Sequence, residues 1–325
     1  MSKSALMVYK DDSGHYNVGD YIQSLAAKGF LPNADTFINR EELALYKGDK
    51  AKLIMNGWFT HTKDNNWIPS PQLDTLFVAF HINNLAKKVI LSKEGISYLK
   101  SKEPIGCRDQ NTVNLLKGAG VDAYFTGCLT LTLDHFKKEN IERKGIYIVD
   151  PLYNYPQTKY IFHSPKTAIK GILTGRAFKL SKLKNHLKNI FTDELLNEAQ
   201  YRCQVLPGKD VTDEQRFKVA ENLLEEYSKA KLVITSRIHC ALPCLAMGTP
   251  VIYVNGFDNI VDTCRFEGIL DLFNCINVNP KNGAFTSNFE LSGKIGMETS
   301  VVNSKKYLEL SNRMKKICLD FIESK

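Results

Sequence analysis

Short apolar runs alternate along this chain with longer segments in which apolar residues recur at helical spacing. The short runs predict strands over residues 5–9, 52–55, 76–81, 89–91, 105–107 and 124–126, and later over 146–149, 202–206, 232–235, 251–254 and 275–278. The longer segments predict helices over residues 20–28, 96–100, 109–117, 179–190, 212–229, 238–247, 259–268 and 304–324. Such alternation is typical of parallel sheets with crossover helices, so the sequence predicts an α/β fold.

The alternation is interrupted between residues 151 and 192, where the chain becomes aromatic, basic and irregular. Because 325 residues exceed one ordinary hydrophobic core, we place a domain boundary at the start of this segment. The predicted domains are residues 1–150 and 151–325, and the helix at 304–324 is a candidate to pack back on the first domain. Ligands of open parallel sheets bind outside the carboxyl ends of the strands, so two such domains would enclose a cleft.

The net charge of +8 is concentrated in the interrupting segment, which has no acidic residue between Asp150 and Asp193. The cations of this interval are Lys159, Lys166, Lys170, Arg176, Lys179, Lys182, Lys184 and Lys188. Apolar residues recur at helical spacing among the last four lysines, which is typical of a basic amphipathic helix. Two interpretations stay open: residues 159–191 contact an anionic membrane, or the helix packs on the core and turns a basic face to water.

Composition narrows the class of protein. The chain is 43% apolar and 24% charged, which is typical of a globular protein, and no segment approaches the ~20 apolar residues of a membrane span. With no secretory signal at the start, we predict a cytoplasmic protein, peripheral at the inner face of the membrane under the first interpretation above. The eight cysteines are scattered without a C-x-x-C pair, so we predict packing thiols and no metal site. No nucleic-acid-binding signature occurs, so we predict no nucleic-acid partner.

One stretch, KLVITSRIHCALPCLAMGTPVIYVNG from residue 231 to 256, places polar residues between two buried elements. Ser236, Arg237 and His239 lie where a strand ends and a helix begins, and free backbone N–H groups attract anions there. Arginine adds a fork that suits phosphate or carboxylate, and histidine adds a proton donor with a pKa of ~6.5. The alternative is an arginine that neutralises a neighbouring carboxylate and a histidine hydrogen-bonded in the core.

Three other positions follow predicted strands. Arg108 comes directly after the strand at 105–107, beside Asp109, which is a candidate helix cap. Asp20 follows the first strand and could accept a hydrogen bond from a hydroxyl group or cap a helix. Trp58 follows the strand at 52–55 and could stack on a sugar or lie partly buried.

Three motifs carry a resemblance to a known family. The segment VITSRIHCALPCLAMGTPVIYV resembles the carboxyl-terminal signature of the polysaccharide pyruvyltransferase family, in which a Ser-Arg-x-His turn leads into a small-residue helix. YNVGD at residues 16–20 resembles the family's Gly-Asn-x-Gly-Asp loop, with Tyr16 in place of the first glycine. PIGCRDQNTVNLLKGAGVDAYFTGC resembles its Arg-Asp-x-x-Ser helix start, with Thr112 in the serine position.

The resemblance implies a glycosyltransferase-B-like fold of two Rossmann-like domains facing a cleft. It implies transfer of the enolpyruvyl unit of phosphoenolpyruvate to a sugar as a ketal, in capsule or exopolysaccharide biosynthesis, without a further cofactor. The acceptor is a glycan, which can be lipid-linked. The residues expected to bind phosphoenolpyruvate are Arg237, Arg108, Ser236 and Arg265, the last in place of a family lysine. His239 is the expected general acid and Asp20 the expected base, and the residues expected at the acceptor are Asn17, Gly19, Asn56 and Trp58.

Two other functions remain open at this point. A glycosyltransferase of the same fold could hold a nucleotide diphosphate at Arg237 and His239, with Glu267 or Asp262 on the ribose. A non-catalytic protein that binds a glycan or an anion is the other alternative. Phosphate release from phosphoenolpyruvate distinguishes an enzyme from such a protein.

Overall fold

The structure is a computed structural model, and it describes residues 3–10, 14–59, 64–153, 165–175, 178–257 and 263–324. All residues from 154 to 164, including Lys159, lie outside the described residues, as do Arg176 and Asp262. The side chains of Trp58 and Lys179 are likewise not described.

The strands of the described residues follow in chain order. They are β1 (Lys3–Val8), β2 (His15–Asn17), β3 (Ala34–Asn39), β4 (Ala51–Ile54), β5 (Trp58–Phe59), β6 (Leu73–Leu76), β7 (His81–Ile82), β8 (Ile105–Cys107), β9 (Ala123–Phe125), β10 (Ile146–Val149), β11 (Gln200–Arg202), β12 (Val205–Pro207), β13 (Leu232–Thr235), β14 (Val251–Asn255), β15 (Asn274–Val278) and β16 (Phe285–Ser287).

The α-helices of the same residues are α1 (Val18–Lys28), α2 (Lys87–Ile90), α3 (Lys93–Lys100), α4 (Gln110–Gly118), α5 (Pro165–Leu173), α6 (Phe178–Ile190), α7 (Asp193–Glu198), α8 (Asp213–Ser228), α9 (Ile238–Ala246) and α10 (Tyr307–Glu323). Short 3₁₀ turns connect several of them, at Leu43–Leu45, Asn65–Trp67, Leu129–Phe136, Cys264–Phe266 and Leu270–Leu272. None of these helices in the described part of the chain has the length and apolar character needed to cross a bilayer.

Two parallel sheets organise the molecule. The first has four strands in the order β3-β1-β4-β6, all parallel. The second has six strands in the order β11-β10-β13-β14-β15-β16, parallel except for the antiparallel edge strand β16. Strand β13 is buried along its whole length, as expected of a parallel strand covered on both faces. The protein therefore has an α/β fold with parallel sheets, as the apolar pattern predicts.

The two sheets are joined by backbone hydrogen bonds as well as by packing. Strand β2 pairs with β12 in an antiparallel ladder, and the Val18 amide donates to the Gln204 carbonyl at 2.7 Å. One hydrophobic cluster contains residues of α1 from the first half of the chain and of α8 and α9 from the second. The C-terminal helix α10 contacts the first half, where Lys52 Nζ donates to the Phe321 and Ser324 carbonyls at 2.5 Å.

Four sequence predictions of elements are wrong in type or extent. The strand predicted over residues 76–81 falls between β6, which ends at Leu76, and β7, which begins at His81. Residues 89–91 belong to helix α2 and its end, because a three-residue apolar run fits either a strand or a buried helix turn. The strand predicted over residues 202–206 is two short strands, since the Gln204 amide turns aside to donate to Asp150 Oδ2 at 2.9 Å. The helix predicted over residues 259–268 ends early. Residues 259–262 lie outside the described part, Thr263 is α-helical, and a 3₁₀ turn at Cys264–Phe266 follows before Gly268, whose φ is +80°.

Helix α6 shows which side of its amphipathic pattern is buried. Leu187 and Ile190 are buried in the core of the second sheet, and Leu183 packs against the same cluster. Lys182 and Lys184 are exposed. The apolar face of α6 is therefore used in the core, which favours the interpretation of this helix as one with a solvated basic face.

Candidate active site

One cavity is lined by five of the ten predicted site residues. It is lined by Asn17, Arg108, Tyr153, Gln204, Arg237, Ile238, His239 and Arg265. We call it the arginine cavity. Strands β8, β10 and β13 all lead to it through the residues that follow their carboxyl ends, which is where open parallel sheets bind ligands.

Arg237 follows β13 and stands at the N-terminal end of α9. Its Nε donates to Asp150 Oδ2 at 3.0 Å, and its guanidinium lies over the Tyr153 ring, 3.7 Å from the centroid. The sequence left open whether this arginine neutralises a carboxylate or lines a site. In the structure it does both, since it pairs with Asp150 and also lines the cavity. Because the ion pair and the ring fix the side chain, the guanidinium is held ready at the cavity wall.

Ser236 lies behind the cavity rather than on its wall. Its hydroxyl accepts a hydrogen bond from the Leu152 amide at 2.7 Å and donates to the Val254 carbonyl at 2.5 Å. The side chain thus ties the loop after β10 to the end of β14. Its hydrogen bonds place it among the residues that support the site, not among those that face a ligand.

Arg108 is almost completely buried, at 1% exposure, and still lines the cavity. Its Nε is 3.8 Å from Asp109 Oδ2, too far for a hydrogen bond. Among the residues that the structure describes, Nε and Nη2 have no hydrogen-bond partner. Burial lowers the pKa of Arg108, but an arginine stays protonated in proteins, so this cation has donors left for an anion.

A buried network that the sequence did not reveal lies behind Arg108. Asp109 caps α4 by accepting from the Thr112 amide at 2.9 Å, and its second oxygen contacts His81 Nδ1. Burial, and then the charge of Arg108, lower the pKa of His81 to about 4, so this ring is neutral near pH 7. Asp109 therefore has the capping role that the sequence left as an alternative, and one of its oxygens is shared with a histidine.

His239 reaches the cavity from a kinked first turn of α9, where its φ and ψ are −80° and 16°. The side chain is 8% exposed, and its Nε2 has no hydrogen-bond partner within the described part of the chain. Burial, and then Arg108 and Arg265, lower the pKa of His239 well below its usual range. The imidazole is therefore neutral in the empty cavity, with one nitrogen available for a ligand.

Gly19 explains how the first sheet comes so close to His239. A Cβ at Gly19 would lie 3.2 Å from both Cβ and Nδ1 of His239, tighter than most contacts of this kind. The neighbouring Asn17 caps α1, its Oδ1 accepting from the Gly19 amide at 3.1 Å. Asn17 also lines the cavity, so the loop after β2 forms one of its walls.

Arg265 completes the cationic lining of the cavity. It lies on the 3₁₀ turn Cys264–Phe266, which follows β14 along the chain. Its Nη2 donates to the Tyr153 hydroxyl, and its guanidinium lies 5.0 Å and 4.8 Å from the ring centroids of Phe257 and Phe266. The structure thus brings Arg108, Arg237, Arg265 and His239 together around one space.

Asp20 is not in the arginine cavity but in a narrow adjoining cleft, which we call the Asp20 cleft. It is lined by Met7, Val8, Tyr9, Asp20, Gln23, Ser24, Arg40, Asn56 and Gly57. Arg40 Nη1 donates to Asp20 Oδ1 at 3.0 Å, and Asn17 Nδ2 approaches the other oxygen at 3.3 Å. Asn17, rather than Asp20, is the cap of α1, and it links the two spaces.

The remaining predicted residues are placed less directly. Asn56 lines the Asp20 cleft, but its Nδ2 donates to the Gln23 carbonyl at 2.8 Å and its carbonyl accepts from Gln23 Nε2 at 3.1 Å. Trp58 begins β5 beside this cleft. Glu267, a candidate ribose ligand, is exposed and does not line the arginine cavity.

Metal ligands were not predicted. In the described ranges, no group of three or more histidine, cysteine, aspartate or glutamate side chains is placed to hold an ion.

Sequence reasoning missed Tyr153, Gln204 and Arg40. The signal for Tyr153 was its place four residues after the end of β10, the strand next to β13 in the sheet. Gln204 donates to the His239 carbonyl at 3.3 Å and its amide donates to Asp150 Oδ2 at 2.9 Å, and no local pattern marks either contact. Arg40 meets Asp20 through the pairing of β3 with β1.

The protein is thus an α/β protein with parallel sheets and an arginine-lined cavity at its strand ends. The model of the polysaccharide pyruvyl transferase family matches residues 17–259, and the chain belongs to this family. It is therefore a transferase enzyme with a pyruvyl transfer role on polysaccharide. The matched residues include Asn17, Arg108 and His239, and Arg265 lies beyond them.

Other comparisons add little. No curated protein matches the chain. A functionally uncharacterised protein from Klebsiella pneumoniae has a solved structure with 12% sequence identity and a TM-score of 0.43, covering 82% of this chain and 87% of that one. A TM-score of this size does not establish a common fold.

Proposed function

We propose that the protein transfers the pyruvyl group of phosphoenolpyruvate to a sugar of a polysaccharide or lipid-linked oligosaccharide as a ketal, with release of phosphate. The observation that carries this proposal is the convergence of Arg108, Arg237, Arg265 and His239 on one cavity. In the proposed arrangement, the two sheets are the centres of two Rossmann-like domains that form a glycosyltransferase-B-like enzyme. Because β10 belongs to the second sheet, the boundary between them falls before Ile146 rather than after residue 150.

The charge of the cavity supports a small polyanion as the donor. Phosphoenolpyruvate carries about three negative charges near neutrality, taking the second phosphate pKa near ~6. Arg108 has Nε and Nη2 donors without partners among the described residues, and Arg237 presents a fixed guanidinium. In this proposal Arg108 and Arg237 hold the phosphate and carboxylate, and Arg265 adds a third positive charge to the lining.

The chemistry needs one proton at the methylene carbon of phosphoenolpyruvate. Protonation makes a methyl group and leaves cationic character on the adjacent carbon, to which a sugar hydroxyl adds with loss of its proton. The bond from that carbon to the phosphate oxygen then breaks, and a second hydroxyl closes the ketal ring. Of the two hydroxyl protons, one replaces the proton given to the methylene carbon and the other leaves as part of hydrogen phosphate.

His239 is the proposed general acid. Its pKa is held low by burial and by the arginines, so the empty enzyme carries a neutral ring. A bound trianion offsets the arginine charge and raises this pKa, so the ring takes up a proton mainly when the donor is present. The proton is thereby supplied beside the substrate that needs it.

The acceptor is proposed to approach from the first sheet. Asn17 faces the arginine cavity and hydrogen-bonds Asp20, so a sugar that contacts Asn17 is close to the Asp20 carboxylate. In this proposal Asp20 accepts the proton of the attacking hydroxyl. Gly19, Asn56 and Trp58 shape the same side, and glycans of capsule or exopolysaccharide type are the proposed acceptors.

The test combines two readouts on one reaction. The enzyme is incubated with phosphoenolpyruvate and a panel of glycans, and phosphate release is compared with the mass gained by the glycan. We expect one phosphate for each gain of pyruvate less one water, and no gain with pyruvate as the donor. A gain of a whole sugar from nucleotide sugars would instead establish the glycosyltransferase alternative. Binding of phosphoenolpyruvate without turnover on any acceptor would leave a binding protein.

A further inference from the structure

Helix α5 exposes a cluster of apolar side chains. Ile169, Ile172 and Leu173 are 60%, 53% and 81% exposed, respectively. The other large exposed apolar residues of the described chain are scattered over distant positions, whereas these three fall within five residues. An exposed apolar cluster on a short helix indicates a surface that is covered by something else.

The apolar cluster and the lysines of α5 occupy adjoining sectors of the helix surface. At about 100° per residue, Ile169, Ile172 and Leu173 lie within one sector of the helix, and Lys166 and Lys170 lie in the adjoining sector. Both lysines are exposed, and Gly171 is buried. The outward face of α5 is therefore half apolar and half basic.

Helix α6 provides the contrast that makes α5 informative. Its sequence has the same mixture of lysine and aliphatic residues, but Leu187 and Ile190 are buried in the core of the second sheet. Its exposed Lys182 and Lys184 add to the basic character of the segment. The membrane interpretation of residues 159–191 therefore moves from α6 to α5, which has the exposed apolar residues.

The charge of the segment selects the occupant of this surface. No acidic residue occurs between Asp150 and Asp193, so an anionic partner is favoured along the whole segment. A second copy of the chain placed symmetrically on the same face would set lysines of α5 against lysines of α5, which is repulsive. A bilayer with anionic lipids offers hydrocarbon for the three apolar side chains and headgroups for the lysines at the same depth.

We propose that α5, with Ile169, Ile172 and Leu173 inserted and Lys166 and Lys170 beside them, docks the protein on the anionic surface of a lipid bilayer. The docking itself is independent of the reaction. Its use rests on the proposed function, since a docked enzyme stays close to a lipid-linked acceptor.

The experiment is co-sedimentation of the full chain with vesicles and without substrate. Vesicles of phosphatidylcholine with phosphatidylglycerol are compared with phosphatidylcholine alone, at low and at high salt. We expect binding to the anionic vesicles that weakens with salt, because exposed charges are screened. I169S/I172S/L173S is expected to lose at least tenfold in affinity. K166E/K170E is expected to lose about 30-fold or more, since two lysines at ~1 kcal/mol each correspond to roughly 2 kcal/mol.

Matched controls keep composition and charge equal while moving the change elsewhere. L45S/L85S/V302S removes three apolar side chains of similar exposure, and K47E/K50E makes the same charge change on an exposed loop. Both controls are expected to bind vesicles like the unchanged protein. Phosphate release with a soluble glycan is expected to be the same in the α5 variants, so a failure of docking and a failure of the proposed function are separable.

Several outcomes would overturn the proposal. Equal binding by the α5 variants and the controls would remove α5 from the surface. Equal binding to phosphatidylcholine alone would remove the requirement for anionic lipid. A protein that ignores both vesicles, and whose oligomer dissociates in I169S/I172S/L173S, would show that a second copy covers the helix.

Discussion

The arginine cavity and the Asp20 cleft both contain a buried arginine beside an aspartate, and they treat it differently. In the cleft, Arg40 contacts two carboxylates, with Nη1 3.0 Å from Asp20 and Nε 3.3 Å from Glu41. In the cavity, Arg108 is 3.8 Å from Asp109, whose nearer oxygen is already in contact with His81. In the cleft, the charge of Arg40 is neutralised by neighbouring carboxylates. In the cavity, Arg108 keeps N–H donors that a ligand can use. A buried arginine therefore indicates an anion site only where local carboxylates do not match it.

The sharpest test of this difference is to replace His239 by glutamine. We expect turnover to fall by roughly 10²–10⁴-fold, because the general acid is lost, while affinity for phosphoenolpyruvate changes only a few-fold. Single-turnover rates and calorimetric binding measure the two effects separately. Near-normal turnover in this variant would remove His239 from the chemistry.

Next in size is the effect of breaking the ion pair of the cleft. Asp20→Asn leaves the buried guanidinium of Arg40 with Glu41 alone, so we expect a loss of about 3 kcal/mol in unfolding free energy, near the lower end for broken buried pairs. Urea unfolding measures it. The double variant Asp20→Asn/Arg40→Gln is expected to regain part of the lost unfolding free energy. It should not regain turnover, and recovered turnover would mean that Asp20 is not the base.

The buried network behind Arg108 makes the unfolding free energy of the protein depend on pH. His81 has a pKa of about 4 in the folded protein and ~6.5 when unfolded, so the unfolded chain binds more protons between these values. Unfolding free energy should thus fall by up to ~3 kcal/mol from this group as pH drops from 6.5 to 4. His81→Gln should flatten this part of the profile in urea unfolding, and an unchanged slope would contradict the assignment.

A pair of conservative changes measures the smallest difference between the two regions. Arg108→Lys is expected to weaken phosphoenolpyruvate binding by about 10- to 100-fold, since a lysine cannot keep two parallel donors on an oxyanion. Arg40→Lys, in the neutralised cleft, is expected to leave that affinity within about twofold. Calorimetric titration of both variants decides the matter, and equal losses would mean that the cleft also contributes to donor binding.

The parts of the site that follow from sequence are those fixed by local order. Arg237 and His239 could be placed because an apolar strand, a polar turn and an apolar helix follow one another directly. Arg108 could be placed for the same reason, after β8. Their convergence on one cavity depends on the order of strands in the sheets. The alternation of elements predicts the fold class but not this order.

The parts that could not be predicted depend on contacts between distant segments. Strand β2 is three residues long and pairs with β12 almost two hundred positions later, so no local pattern marks it. The pairing of Arg40 with Asp20 and the contact of His81 with Asp109 are also tertiary events. Helices α5 and α6 have similar composition, and only the packed structure distinguishes the exposed apolar face from the buried one.

The β2–β12 ladder ends beside two residues that line the arginine cavity, Asn17 on one strand and Gln204 just before the other. Spreading the two sheets at this wall requires rupture of main-chain hydrogen bonds, including that from Val18 to Gln204, and not only rearrangement of side chains. This wall of the cavity is therefore held by the backbone and resists opening.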